Sequence, residues 1–219
     1  MSHLKRSRTC LPCLRRQSSY GRHSVMPKRA QLKDSEYHLS RAEIKKIIYA
    51  PDNFKHRCII KTLAQTAMRR FELVNLDVRD VDFKRKVIYI REGKGGKSRT
   101  IPTTDELLGD LKHLISRRKS GPVFANAKGD KLSVRQVNRI VAEAGQKARV
   151  ENPNPKYKNI TCHLFRHSFA REWKKKGGSI ETLAKILGHA SVKTTLDEYG
   201  TEDLEAMQAN YERMVGEMF

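Results

Sequence analysis

The sequence predicts a mainly helical domain with one small antiparallel β-sheet, an α+β fold. Helix-capping patterns and apolar residues three or four positions apart recur along most of the chain. One short stretch differs, because β-branched residues lie on both sides of a glycine-rich turn, as in a hairpin. One helical core with one sheet therefore accounts for the pattern.

The first 33 residues have a different composition from the rest of the chain. They hold nine Lys or Arg and no acid, with few apolar residues and no periodicity, so they offer little that a core could bury. We expect residues 1–35 to form a basic, poorly ordered arm and residues 36–219 to form the globular domain. Cys10 and Cys13 match half of a zinc site, but no second pair follows at finger-like spacing, so ordinary thiols are expected.

Capping residues predict where the helices of the globular domain begin. A Ser or Thr followed three positions later by Glu or Gln occurs at Ser40–Glu43, Thr103–Glu106 and Ser133–Gln136. A further helix is predicted over about Phe54 to Met68. The helix after Ser133 has one apolar face, which contains Val134, Val137, Ile140, Val141 and Ala144.

Residues 87–101 predict the hairpin. Val87 to Ile90 form a β-rich run, Gly93 to Gly96 turn the chain, and Arg99 to Ile101 return. The glycines do not form a nucleotide-binding loop, because the P-loop spacing is missing and a strand follows where a helix would be required. The tip instead presents Lys94 on a flexible turn.

The last third of the chain is predicted to be helical. Pro153 and Pro155 end the preceding pattern, and glycines then close helices over about Cys162–Lys176 and Ser179–Leu187. A short turn from Ser191 leads to a final helix over about residues 201–218. Its apolar stripe, which must be buried somewhere, consists of Leu204, Met207, Tyr211, Met214, Val215 and Met218.

The charge of the chain indicates a polyanionic partner. Its 45 Lys and Arg against 24 Asp and Glu give a formal net charge of +21, so nucleic acid is the first candidate and an anionic membrane the second. No segment reaches the roughly 18 apolar residues of a membrane span, and the N-terminus lacks the apolar stretch of a secretory signal. We therefore expect a cytoplasmic protein.

Basic side chains recur where a helix end or a turn could hold a phosphate. Arg69 and Arg70 follow the end of a predicted helix, and Lys94 lies on the hairpin tip. His163 and Arg166 lie three apart on one helical face. Such donors suit the neutralisation of a pentacoordinate phosphorane, so the pattern favours chemistry on a phosphodiester.

The order of these groups resembles that of the tyrosine recombinases, which include the phage integrases and the Xer resolvases. The match runs from about Leu39 to Tyr199, and its segments follow in family order with family-like spacing. The matching segments are Thr66–Leu73, Gly93–Lys97, His163–His167, Leu187–His189 and Thr194–Tyr199. The resemblance implies a mainly α catalytic domain with a small sheet, similar to that of type IB topoisomerases.

The resemblance also implies a role for each site residue. Tyr199 would be the nucleophile that forms a 3′-phosphotyrosyl bond, and Arg69 and Arg166 would hold the non-bridging phosphate oxygens. His189 would donate to one of these oxygens, and His163 would assist the arginines and could receive the tyrosine proton. The implied catalytic set is Arg69, Lys94, His163, Arg166, His189 and Tyr199.

The hairpin would supply the general acid. Lys94 would protonate the leaving 5′ oxygen, and Lys97 and Arg99 compete with it for this role. The side chains expected to contact DNA are Arg70, Lys97 and Arg99. The supporting residues are Glu72 and His167, the latter as a helix-packing or neighbouring side chain.

The first arginine box departs from the family pattern. Arg70 and Phe71 stand where small or apolar residues are usual, so either Arg69 or Arg70 could be the phosphate ligand. Arg69 is chosen by register, because it lies three residues before Glu72, the acid that resembles the family's buttress for this arginine. In addition, only the basic arm takes the place of the family's N-terminal core-binding domain.

Neither a cofactor nor a metal is expected, because one phosphodiester is exchanged for another and the acids of the chain are dispersed. Two alternatives stay open: a DNA-binding regulator or remnant that has lost turnover, and a topoisomerase-like strand relaxer. Double-stranded DNA is the expected partner. The resemblance implies self-association on DNA through the C-terminal helix, with folding back onto its own domain as the alternative.

Overall fold

Helices dominate the computed structural model, which describes residues 37–91, 98–200, 208, 211–212 and 215–216. The three strands form one antiparallel sheet in the order β1-β2-β3, so the predicted mainly α fold with a small sheet is confirmed. The elements are α1 Arg41–Tyr49, α2 Phe54–Thr66, α3 Arg70–Asn75, β1 Val81–Asp82, β2 Val87–Ile90, β3 Arg99–Pro102, α4 Asp105–Ile115, α5 Val134–Lys147, α6 Cys162–Lys175, α7 Ile180–Leu187 and α8 Val192–Tyr199.

Three predicted features lie outside the described residues. These are the basic arm over residues 1–35 with Cys10 and Cys13, the hairpin tip with Lys94 and Lys97, and most of the final helix over residues 201–218. The expectations attached to them stay predictions.

The beginnings of three helices test the capping patterns. Ser40 and Ser133 accept a hydrogen bond from the backbone three residues on, so both of these capping boxes are confirmed. The box predicted at Thr103 is wrong. Its N–H still bonds to Lys86 O beside the sheet, and the cap of α4 is the next residue, Thr104.

The structure contains two short helices, α3 and α8, and one strand, β1, that the sequence did not predict. α2 ends at Thr66, two residues before the predicted end, because Ala67 is left-handed with a φ of 51°. The chain restarts at once as α3, a helix of only six residues. A turn was expected from Ser191, but α8 is a helix of eight residues. β1, of two residues, extends the predicted hairpin, in which Ile88 lies opposite Ile101.

The apolar core surrounds α2, which packs against α1, α4 and α6. Lys61 is a buried charged residue on this helix, and it forms ion pairs with Glu106 and Asp110 of α4. A second, smaller cluster joins the end of α2 to α6, α7 and α8, and it consists of Ala67, Ala170, Leu183, Leu187 and Tyr199. None of the described helices combines the length and the apolar character that crossing a membrane requires.

Candidate active site

Arg166 ties together the ends of two helices. Its side chain on α6 is buried, and its Nη1 and Nη2 donate to Ala67 O at 2.8 Å and Leu187 O at 2.7 Å. Carbonyls at helix C-termini lack helical partners and carry the negative end of the helix dipole, so they stabilise a guanidinium. Burial, with a contribution from the nearby Arg69, lowers the pKa of Arg166 to about 10, which leaves it protonated at neutral pH. Because a guanidinium has five N–H donors, these two bonds leave donors for an anion.

Arg69 caps α3 and pairs with Glu72. The carboxylate accepts from the backbone N–H of Arg69 at 2.6 Å and from its Nη1 at 3.1 Å. Of the two neighbouring arginines, Arg69 is therefore the one that contacts Glu72. Arg70 is exposed, and its guanidinium lies 5.6 Å from the centre of the Phe71 ring.

Arg99 also contacts Glu72. Its Nη1 and Nη2 each donate to a carboxylate oxygen of Glu72 at 2.7 Å, and its Nε donates to Ile186 O at 2.8 Å. Burial alone would raise the pKa of Glu72, but hydrogen bonds from Arg99 and the Arg69 backbone lower it below its ordinary value. Only 8% of the Arg99 side chain is exposed. The guanidinium is thus committed to Glu72, and the expected contact of Arg99 with DNA stays a prediction.

Tyr199 is buried beside α6. Its hydroxyl lies 2.8 Å from Nδ1 of His167, and the ring of His167 meets that of His163 edge-on with centroids 4.3 Å apart. Burial raises the pKa of Tyr199 well above its ordinary value. The sequence treats His167 as a helix-packing or neighbouring residue, whereas in the structure it directly contacts the phenol. The four-residue step from His163 to His167 indicates only the contact of these two rings with each other, and no local pattern indicates the contact of His167 with Tyr199.

His189 follows α7. Its Nδ1 lies 2.8 Å from the hydroxyl of Thr195, and its Nε2 lies 3.7 Å from a carboxylate oxygen of Glu198. Burial, together with the positive charges of Arg166 and Arg69, lowers the pKa of His189 to about 4. The imidazole is therefore neutral at pH 7. No sequence pattern indicated Thr195, because its contact with His189 depends on how α8 packs against α7.

An open cleft of about 390 Å³ lies between α3 and α6. Arg69, His163 and Arg166 line it, so two arginines and a histidine border the same space. His189 and Tyr199 do not line it, and Tyr199 is only 1% exposed. Among the described residues, no group of three His, Cys, Asp or Glu side chains is placed to hold a metal ion. The arrangement can bind a phosphate, with a phenol held beside it.

Comparisons with known proteins give a consistent result. Residues 38–205 match the model of the phage integrase family. Tyrosine recombinase XerA of Pyrococcus furiosus is 37% identical over 164 residues, which cover 72% of this chain and 54% of that protein. The chain thus spans about half the length of the curated relatives it matches.

Solved structures are similar over most of the chain. The crystal structure of XerA recombinase has a TM-score of 0.66 and 29% identity, and the match covers 81% of this chain and 65% of that one. The Tn1549 transposon integrase in complex with circular intermediate DNA has a TM-score of 0.68 and 21% identity, with 84% and 68% covered. At that identity the second similarity concerns the fold alone.

Proposed function

Since the chain belongs to the phage integrase family, we propose that it is a site-specific recombinase, which cleaves and rejoins double-stranded DNA through a 3′-phosphotyrosyl intermediate on Tyr199. One observation carries the proposal. The Tyr199 hydroxyl contacts His167, the residue next to Arg166, so a phenol lies beside a cleft lined by two arginines. The net charge of +21 and the curated relatives, which bear the name tyrosine recombinase, support it.

The cleft would hold the scissile phosphate. Arg69 and Arg166 would donate to its non-bridging oxygens, because a guanidinium matches the geometry of a phosphate and strengthens its bonds as charge develops. His163 would donate from the edge of the cleft. His189, neutral at pH 7, would offer its Nε2 proton to a non-bridging oxygen when Nδ1 accepts from the Thr195 hydroxyl.

Cleavage would transfer the DNA 3′ phosphate to Tyr199. The phenol oxygen forms a bond to phosphorus, and the bond from phosphorus to the 5′ oxygen breaks. A histidine near the phenol, His163 or His167, takes the phenol proton. Lys94 would protonate the leaving 5′ oxygen. Because Tyr199 does not line the cleft, attack requires α8 to carry the phenol toward the arginines. A 5′ hydroxyl of another strand then reverses the step, so no cofactor is consumed.

Assembly of several protomers on DNA is part of the proposal, with the C-terminal segment as the connection. Its apolar stripe and the 64% exposure of Tyr211 support this. Deletion of residues 203–219 should abolish multi-protomer DNA complexes in analytical ultracentrifugation and leave single-protomer binding intact. If the deletion instead removes the cooperative melting transition without DNA, the segment packs on its own domain and this part of the proposal is wrong.

A trapping experiment tests the proposed chemistry. A pool of nicked duplexes of random sequence lets the cleaved fragment diffuse away, so the covalent protein–DNA adduct accumulates and its sequences identify the target. Tyr199→Phe should abolish the adduct and leave DNA affinity nearly unchanged, while Tyr211→Phe is the matched control that keeps it. Persistence of the adduct in Tyr199→Phe would place the nucleophile elsewhere. Relaxation of supercoiled DNA without recombination would identify a strand relaxer instead.

A further inference from the structure

Two exposed aromatic rings line the same cleft as the arginines. Phe71, in the first turn of α3, is 59% exposed, and Tyr157, in the loop between α5 and α6, is 45% exposed. Single exposed apolar side chains are common on protein surfaces. Two aromatic rings on one cationic cleft are a narrower observation, because together they offer flat apolar faces beside a phosphate-binding group.

The loop that carries Tyr157 is held by its own hydrogen bonds. The side chain of Asn152 donates to Asn159 O at 2.7 Å and accepts from the N–H of Asn154. The N–H of Tyr157 in turn donates to Asn154 O at 3.0 Å. These turns fix the backbone at Tyr157, so its exposure at the cleft is a consequence of the loop's structure.

Phe71 is one of the two residues, with Arg70, at which the first arginine box departs from the recombinase pattern. The guanidinium of Arg70 lies 5.6 Å from the centre of its ring, which adds a positive charge beside the aromatic surface. A positive group next to an exposed ring is complementary to a nucleotide, whose phosphate is an anion and whose base is a flat π-system.

We propose that Phe71 and Tyr157 form a stacking site for unpaired nucleobases next to the phosphate that Arg69 and Arg166 hold. The inference rests on the proposed function and describes how the same cleft would bind the opened DNA strand. A strand that is cut and joined to another partner must leave its own duplex, which exposes the bases at the cut. Aromatic side chains accept any base, because every base has a π-face, so this site stabilises the opened strand without reading its sequence.

A binding comparison tests the stacking site with DNA that is already open. The probe is a fluorescein-labelled duplex, compared with the same duplex that carries a central bubble of unpaired thymines. The wild-type chain should bind the bubble more tightly than the duplex. Phe71→Ala and Tyr157→Ala should each weaken binding to the bubble at least about fivefold and leave duplex affinity nearly unchanged. Phe71→Leu, which keeps an apolar side chain without a ring, should behave like Phe71→Ala.

Matched controls and a second readout complete the test. Tyr49→Ala and Phe83→Ala remove exposed aromatic side chains outside the cleft and should change neither affinity. With 5-iodouracil in the bubble, ultraviolet light should cross-link the DNA to peptides that contain Phe71 or Tyr157. Duplex binding without preference for the bubble, or equal losses on both probes, overturns the stacking site alone. A wild-type chain that binds neither probe overturns the proposed function and the inference with it.

Discussion

At the scale of single residues, the proposed function would give Arg166 a chemical role beside its structural one. Arg166→Lys keeps the charge but replaces a planar fork by one ammonium, which cannot serve two carbonyls and a phosphate together. We expect DNA cleavage to fall at least about 100-fold in the trapping experiment. The melting temperature should also drop, because one buried carbonyl loses its donor. Arg171→Lys, on the same helix but outside the cleft, is the matched control. Cleavage close to that of the control would remove Arg166 from the proposed site.

His189 predicts a pH dependence of stability. Its pKa is about 4 in the folded chain, against an ordinary value of 6.5. Between these values the unfolded chain binds more protons, so the free energy of unfolding falls as the pH drops from 6.5 toward 4. In urea titrations across this window, His189→Gln should show a shallower loss of stability than the wild type. His113→Gln, at an exposed position of α4, is the control. Parallel curves for wild type and His189→Gln would contradict the assignment.

The sequence could predict a contact between residues close together in the chain, but not contacts between residues far apart in it. Arg69 and Glu72 lie three positions apart, and the family resemblance pairs them, so their contact could be predicted from the sequence. The contact of Arg99 with Glu72 joins residues 27 positions apart, and the contact of His167 with Tyr199 joins residues 32 apart. No local period encodes such pairs, which depend on how β3 and α8 pack against the helices.

At the scale of elements, two glycines form a matched test. Gly188 ends α7 with a φ of 66°, and a Cβ there would lie 2.8 Å from Cδ of Arg99. Gly188→Ala should lower the free energy of unfolding by at least about 1–2 kcal/mol, because a left-handed backbone is strained for an L side chain. Gly109, inside α4, has nothing within 4 Å of such a Cβ, so Gly109→Ala should stabilise by up to about 1 kcal/mol. Urea unfolding measures both. Equal stability of the two variants would show that Gly188 is not constrained.

Gly188→Ala should also reduce cleavage. A Cβ that displaces Arg99 removes two hydrogen bonds from Glu72, which orients Arg69. The loss should appear in the cleavage rate even after the concentration of folded protein is equalised. Activity equal to that of Gly109→Ala would mean that Arg99 and Glu72 do not position Arg69.

Helix prediction succeeded where capping chemistry is local and failed where the element is short. Ser40 and Ser133 identify α1 and α5, because the cap and its partner are three residues apart. α3 has six residues and α8 has eight, too few for an apolar period to be distinguished from a turn. α7 is equally short, but the glycine that ends it indicated the helix. Both α3 and α8 flank the candidate site, so their positions depend on tertiary contacts that the pattern does not contain.

At the scale of the whole molecule, the excess of positive charge should govern DNA affinity. Residues 1–33 carry nine Lys or Arg and no acid. Their deletion should weaken nonspecific duplex binding and flatten its salt dependence, by about 0.9 in the log–log slope for each phosphate that the segment neutralises. The 219-residue chain with these nine residues changed to Gln is the matched control, and it should show the same slope as the deletion variant. An unchanged slope after deletion would mean that this segment does not bind phosphate.

The two backbone partners of Arg166 also make the proposed cleavage depend on complete folding. They come from residues 99 and 21 positions away, at the ends of α2 and α7. Contacts of such long sequence separation form late, because the intervening chain must first be ordered. Under the proposed function, a partly folded or proteolysed chain would keep its charge and bind DNA, but it would lack an oriented arginine for cleavage. In a refolding time course, duplex binding should therefore return before cleavage, so an incompletely folded copy would not cut the DNA that it binds.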